Sequence, residues 1–349
     1  MQRTPWLVTA LSFIGAALSP LVATASPWVL PPGKLVVLGR YDYEVATEEF
    51  LGDREAVPFS LDGRYSASTY TFGVRLGLTS KVELQFEMPI KQVNYTADPV
   101  ILLPSPGDQV QSDFDFYQEN IINLNRGQTG IGDLRMTARY QLTGGQWASA
   151  LELTLKTPTG YDRPEGTFGD RPATREAFLS DIAGFTNPDN VSDDVTLGDG
   201  QLDLVPRLLL GWATSVGFFA RADIGYALRF GGAGDQVVGS VKAGQRIGER
   251  VLVYAGVDGE FAVTDGKIIG VSVAAEDPTL PAEEYGGLDN LFLRELRLER
   301  DRVVTPVGVI FRVVEGTELN LGYTPVVWGR NTSKIQSFSF GVAVTTPWM

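Results

Sequence analysis

The chain has 349 residues, with 42 acidic against 29 basic side chains and a formal net charge of −13. It contains no cysteine and no histidine, which excludes disulfide frameworks, thiolate nucleophiles, Ser-His and Cys-His hydrolases and imidazole metal sites. The acidic balance opposes nucleic-acid binding, and the length suits one large β domain or two smaller ones.

At the N-terminus, Arg3 precedes a mostly apolar stretch from Trp6 to Val22, and Ala23-Thr24-Ala25 supplies a small-x-small cleavage pattern. This predicts a signal peptide over residues 1–25, with Ser26 opening a single barrel over 26–349. An uncleaved anchor is disfavoured, because Pro20, Pro27, Pro31 and Pro32 break a helix rather than extend it. After Val22 no run approaches the length of a transmembrane helix. A membrane protein built of alternating strands has a mean hydropathy near neutral, as here at +0.00.

Period-two alternation then recurs along the chain. Residues 34–44 open the series, with Tyr41 and Tyr43 on an apolar face and Arg40, Asp42 and Glu44 on a polar one. In 65–78, Tyr70, Phe72, Val74, Leu76 and Leu78 oppose Thr69, Thr71, Gly73, Arg75 and Gly77. A Thr79-Ser80 turn leads to a return strand with Val82, Leu84, Phe86, Met88 and Ile90 opposite Glu83, Gln85, Glu87 and Lys91. Leu134 to Leu142 alternate with Asp133, Arg135, Thr137, Arg139 and Gln141, and Trp147, Leu151, Leu153 and Leu155 with Ala148, Ala150, Glu152, Thr154 and Lys156. Leu202 to Trp212 oppose Gln201, Asp203 and Arg207, and after Thr214-Ser215 the even positions from Phe218 to Leu228 oppose Arg221, Asp223, Gly225 and Arg229. Hairpins over 236–264 and 303–328 follow, and 333–348 closes the chain. The expected fold is all-β: a transmembrane antiparallel up-and-down barrel of about twelve strands, whose first and last strands pair and remove the sheet edges.

Connector lengths support this reading. Turns of two to four residues alternate with mostly long loops at 45–64, 96–129, 159–200 and 265–302, the layout of outer-membrane barrels with short periplasmic turns and long extracellular loops. Tyr140, Trp147, Trp212, Phe218 and Trp348 fall at short-turn strand ends, and Tyr43, Tyr70, Tyr95, Tyr226, Phe230 and Phe261 near the long loops, as two aromatic girdles would. A soluble β-sandwich also alternates, but it explains neither the loop asymmetry nor the paired girdles.

With the apolar parity toward lipid, the other parity faces the lumen. The candidate lumen-lining residues are Arg75, Glu83, Glu87, Asp133, Arg135, Arg139, Glu152, Lys156, Arg207, Arg221, Asp223 and Arg229. Basic and acidic residues balance on this parity, which points to cross-strand pairs bracing a wall more than to an open pore selective for one ion sign. Arg135 and Arg139, flanking Thr137, read as a basic strip that Arg221 and Arg229 would extend.

The loop 159–200 holds nine acids against three bases. Its oxygen ligands suit calcium or magnesium, but the spacing is not that of an EF-hand, so a solvated acidic loop is the favoured reading. The loop 96–129 carries Val100-Ile101-Leu102-Leu103 with Phe114, Phe116 and Tyr117, a patch for a lid over the mouth or for packing between loops. The segment 26–33 is too short for a long plug, so a closed lumen would be closed by lumen side chains or loops.

Gly130-Ile131-Gly132-Asp133-Leu134-Arg135 and Leu155-Lys156-Thr157-Pro158-Thr159-Gly160, with the hairpin from Leu76 to Leu84, resemble the outer-membrane transporter family named for the MetA pathway of phenol degradation. The resemblance spans most of the chain in layout and implies a barrel that passes small hydrophobic or aromatic molecules. The glycines and Pro158 also suit strand ends on physical grounds alone. One departure is that Met349 follows the aromatic Trp348 at the chain end.

The expected function is therefore an outer-membrane channel for passive movement of small molecules, in a Gram-negative-type cell. The alternative is a structural or surface-interaction barrel without transport. No catalytic constellation, metal site or cofactor is expected. The partners are outer-membrane lipid, a small-molecule solute, and the periplasmic chaperones and barrel-assembly machinery that an exported barrel requires.

Overall fold

The computed structural model describes residues 26–50, 55–98, 100–101, 121–122, 125–159, 197–276 and 291–348. The predicted signal segment and most of the two loops 96–129 and 159–200 lie outside these residues.

Alternating sequence becomes strand because it gives each residue pair one wet and one greasy side chain, and closure satisfies every ladder. Twelve strands form the barrel: β1 (Lys34–Ala46), β2 (Arg64–Gly77), β3 (Val82–Thr96), β4 (Arg126–Ile131 continuing as Leu134–Thr143), β5 (Trp147–Thr157), β6 (Leu202–Ala213), β7 (Phe218–Phe230), β8 (Gln236–Ile247), β9 (Val251–Ala262), β10 (Asp301–Val304 continuing as Val307–Val314), β11 (Thr317–Arg330) and β12 (Gln336–Pro347). Every strand pairs antiparallel with its neighbours in sequence, and β12 pairs back onto β1 from Lys34↔Pro347 to Val45↔Gln336, closing the cylinder.

The turns of one rim are tight. Thr79 Oγ1 accepts from the Val82 N–H at 3.0 Å, and Thr214 Oγ1 from the Phe218 N–H at 3.1 Å, so the two Thr-Ser turns use the same device. At Gly248 (φ 63°) and Gly316 (φ 78°) the turn enters the left-handed region, where a glycine carries no Cβ penalty.

The parity reading holds around the wall. Tyr70, Phe72, Trp147, Leu151, Leu210, Ile224 and Val241 are exposed on the outside, while Thr69, Thr71, Glu83, Glu152, Arg221 and Lys242 are buried within. A continuous apolar exterior of this extent belongs against lipid, not water. At the short-turn rim Trp147 and Trp212 stack with centroids 5.6 Å apart, and Phe218 meets Trp212 edge-on. One expected girdle residue is misplaced: Tyr95 lies on the inward parity and packs with Tyr65 against Ala67, Val93 and Leu197.

Three further differences have local causes. Strand β4 begins at Arg126, earlier than its alternation shows, because the register against β3 slips between Ile90↔Ile131 and Glu87↔Arg135. That slip is a bulge at Gly132-Asp133, which inverts the apparent pattern. The loop 265–302 contains paired strands Ile268–Glu276 and Leu291–Arg297, and the loop 45–64 contains Glu48–Phe50 and Ala56–Pro58, which join Thr332–Ser333. These short ladders lie outside the barrel wall. Pro206, in the middle of β6, has no N–H to donate, and no β6–β7 pairing is formed at Val205 and Pro206. Beside it on the outer surface a hollow of about 560 Å³ is lined by Val82, Ala138, Tyr140, Leu151, Leu153 and Leu208.

Candidate functional site: the barrel lumen

At the short-turn end the lumen is occupied by the segment before β1. Ser26, Trp28 and Leu30 are buried inside the barrel. The Trp28 indole N–H donates to the Gly145 carbonyl at 3.1 Å, and the Leu30 N–H donates to Glu83 Oε2 at 2.7 Å. Trp28 joins Ala148, Ala213, Phe219, Leu252, Tyr254 and Ile310 in an apolar cluster. Two wall glycines make the room: a Cβ at Gly211 would lie 2.5 Å from Pro27 Cγ and Trp28 Cη2, and one at Gly77 would lie 2.1 Å from the Pro31 carbonyl oxygen. The segment is short, as expected, but it enters the lumen where the wall is hollowed to receive it, so lumen side chains and loops are not alone in filling the barrel.

Above this segment, charge is organised in pairs across adjacent strands. Arg75 (β2) approaches Glu83 (β3) through Nε–Oε1 at 2.9 Å and Nη2–Oε2 at 3.0 Å. Arg139 (β4) reaches the same Glu83 at 2.8 Å and Glu152 (β5) at 2.5 Å, with side-chain exposures of 2 % or less for all three. Four consecutive strands are therefore tied by one buried chain of alternating sign, whose geometry satisfies what burial would otherwise make costly. Arg207 pairs with Asp223 at 2.8 Å, Lys242 with Asp258 at 2.8 Å, and Arg302 with Glu260 at 2.7 Å.

A second cluster sits toward the long-loop rim. Lys156 lies 2.6 Å from Asp203 and 3.6 Å from Asp133, and 2.5 Å from Asp199, which arrives from the end of the long loop between β5 and β6. Arg229 also bonds Asp199 and lies 3.4 Å from Asp203. Burial disfavours the Asp199 carboxylate, but Lys156, Arg229 and Arg300 outweigh it and hold the group below its usual range. This acid of the loop is thereby committed to two cations. Leu197 anchors the same loop end: a Cβ on Gly130 would lie 2.5 Å from its Cδ1, and one on Gly132 would lie 3.1 Å from its carbonyl oxygen. The two motif stretches thus meet: the glycines of the first seat Leu197, and its Asp133 faces Lys156 of the second.

All twelve predicted lumen residues lie on the inward parity, in different circumstances. Arg75, Glu83, Arg139 and Glu152 form the buried chain, Asp133, Lys156 and Arg229 belong to the upper cluster, and Arg207 and Asp223 form a pair. Glu87 accepts from the Gln85 amide at 2.9 Å. Arg135 and Arg139 do not form one basic strip: Arg139 is consumed by two carboxylates, whereas Arg135 is exposed and enters no ion pair among the described residues. Arg229 is likewise paired, and Arg221 enters no ion pair among the described residues. Sequence reasoning placed Asp199 only among the solvated or cation-binding acids of the loop 159–200, and it missed Arg302 and the N-terminal segment. Arg302 falls just before the run whose alternation marks the strand, and the N-terminal segment is marked only by Trp28 and Leu30 among prolines.

No protein-family model matches the chain, and no curated protein matches it. Among solved structures, an outer membrane channel from Pseudomonas putida F1 is similar at 10% identity and a TM-score of 0.58, covering 91% of this chain and 97% of that one. The translocator domain of the autotransporter NalP from Neisseria meningitidis is similar at 12% identity and a TM-score of 0.40, covering 97% and 94%. The NanC porin is similar at 8% identity and a TM-score of 0.42, covering 89% and 98%. The likeness to the first, with the twelve-strand closure and lipid-facing exterior, shows that the chain has the fold of an outer-membrane β-barrel, in agreement with the architecture implied by the sequence resemblance.

Proposed function

We propose that the chain is an outer-membrane channel for passive passage of small hydrophobic or aromatic molecules. The observation that carries this reading is the lumen itself. A closed barrel with a lipid-facing exterior encloses a wall whose charges are mostly held in ion pairs of both signs, narrowed at one end by its own N-terminal segment. Such an interior favours one ion sign only weakly. The solved outer membrane channel of like fold supports the channel reading, and the resemblance carried by Gly130–Gly160 supports the solute class. On this reading residues 1–25 direct export and are removed, periplasmic chaperones and the barrel-assembly machinery deliver the chain, and no enzymatic activity is involved.

Reconstitution tests it. Liposomes bearing the purified barrel should take up small aromatic solutes faster than empty liposomes, with low and weakly ion-selective conductance in planar bilayers. A folded barrel that passes neither solute nor current would leave a structural or surface-interaction role in its place.

A further inference from the structure

Arg221 of β7 is a buried cation without a partner among the described residues. The residue is 5% exposed, and its Nε and Nη1 meet no hydrogen-bond partner among them. The nearby acids are already engaged: Asp223 with Arg207 and Ser240, and Asp258 with Lys242. Counting this patch of wall, three cations (Arg207, Arg221, Lys242) face two anions, so one positive charge is left over. An unpaired charge in such surroundings is strongly unfavourable. A second polar group is in a similar condition. Asn320 of β11 is fully buried close to the Tyr254 hydroxyl, yet neither of its amide atoms closes a well-formed hydrogen bond.

The setting narrows what would complete the patch. Arg221 is the register partner of Gly211, the wall position against which Pro27 and Trp28 lie. Phe219, two residues away on the same face, and Tyr254 belong to the apolar cluster around Trp28. A leftover cation at the edge of an aromatic and aliphatic cluster matches a molecule with one anionic end and one apolar end. Guanidinium groups recognise carboxylates with particular geometric fidelity.

We propose that Arg221 anchors a solute-binding station that takes the carboxylate of a small amphipathic acid, whose apolar body lies against the rim of the Trp28–Phe219–Tyr254 cluster. The station deepens the channel reading and rests on it for the route by which solute arrives.

The test is calorimetric titration of the purified full barrel in non-ionic detergent with benzoate and with benzyl alcohol. Benzoate should bind roughly tenfold or more tightly than the alcohol. Arg221→Gln should erase that preference, and Arg221→Lys should retain part of it. Heat-modifiable gel migration establishes that each variant is folded. If Arg221→Gln does not fold, competition on the unaltered protein decides: octanoate should displace benzoate, and inorganic phosphate at the same concentration should not. Equal binding of benzoate and benzyl alcohol, a benzoate preference that survives Arg221→Gln, or equal displacement by phosphate would overturn the station. Liposomes that admit neither probe, with Arg221-dependent benzoate binding intact, would overturn the channel reading and leave the station standing. Uptake of both probes with no effect of Arg221→Gln on binding would do the reverse.

Discussion

Arg135 and Arg139 show how two identical side chains on one face of one strand acquire different roles. Arg139 has Glu83 and Glu152 as register partners on the flanking strands, and both carboxylates bond it. Arg135 is flanked by Glu87 on one side and Lys156 on the other, and Lys156 is already drawn to Asp133, Asp199 and Asp203. Arg139→Met would leave Glu152 buried without the counter-charge it has now and Glu83 with Arg75 alone, a loss of about 3–5 kcal/mol. The urea midpoint of the folded, fast-migrating form should fall accordingly, and an unchanged midpoint would contradict the structural role. Arg135→Ala should leave stability within about 0.5 kcal/mol and register instead in single-channel conductance. That these residues face inward is legible in the sequence, because parity is local. Which of them is spent on pairing is not, because partner identity depends on register, and register is set by turns and bulges elsewhere.

At the scale of elements, the long-loop end and the N-terminal segment both enter the barrel where glycines make room. Replacing Gly211 with Val should displace Pro27 and Trp28, since even a Cβ there lies 2.5 Å from both. The barrel should still fold and show heat-modifiable migration, with a larger conductance. A conductance equal to that of the unaltered protein would mean that the segment does not narrow the path. The Asp199 clasp makes a pH prediction. The folded-state pKa of Asp199 lies below its unfolded value, so its contribution is complete above the usual carboxylate range and is lost as pH falls through the lowered value. The end of the β5–β6 loop should therefore resist pepsin at mildly acid pH and yield only in stronger acid, whereas in Asp199→Asn cleavage should occur throughout. Period-two strands such as β2, β3 and β7 are readable because one face is lipid and the other is not. The segment Ser26 to Gly33 has no period, and its place is determined by Gly77 and Gly211 far along the chain. The bulge at Gly132-Asp133 hid the first six residues of β4 for a related reason: it reverses parity within one strand.

For the whole molecule, closure between β1 and β12 leaves the barrel wall without a free edge, and the greasy side of the wall faces outward. Unheated protein in detergent gels should migrate differently from boiled protein, and a mature chain that stays soluble without detergent and shows no such shift would refute the barrel. The same inside-out arrangement sorts the tryptophans by solvent. Trp147 and Trp212 stack on the lipid side, Trp348 is also exposed, and the half-buried Trp328 meets the exposed ring of Phe261, while Trp28 sits inside with its indole N–H held by the Gly145 carbonyl. Brominated acyl chains should therefore quench the emission of the first three strongly, that of Trp328 in part, and spare that of Trp28, and Trp28→Phe should remove the most protected component. The protein thus carries its own optical report on whether its short-turn mouth is filled, readable in an intact bilayer without any label.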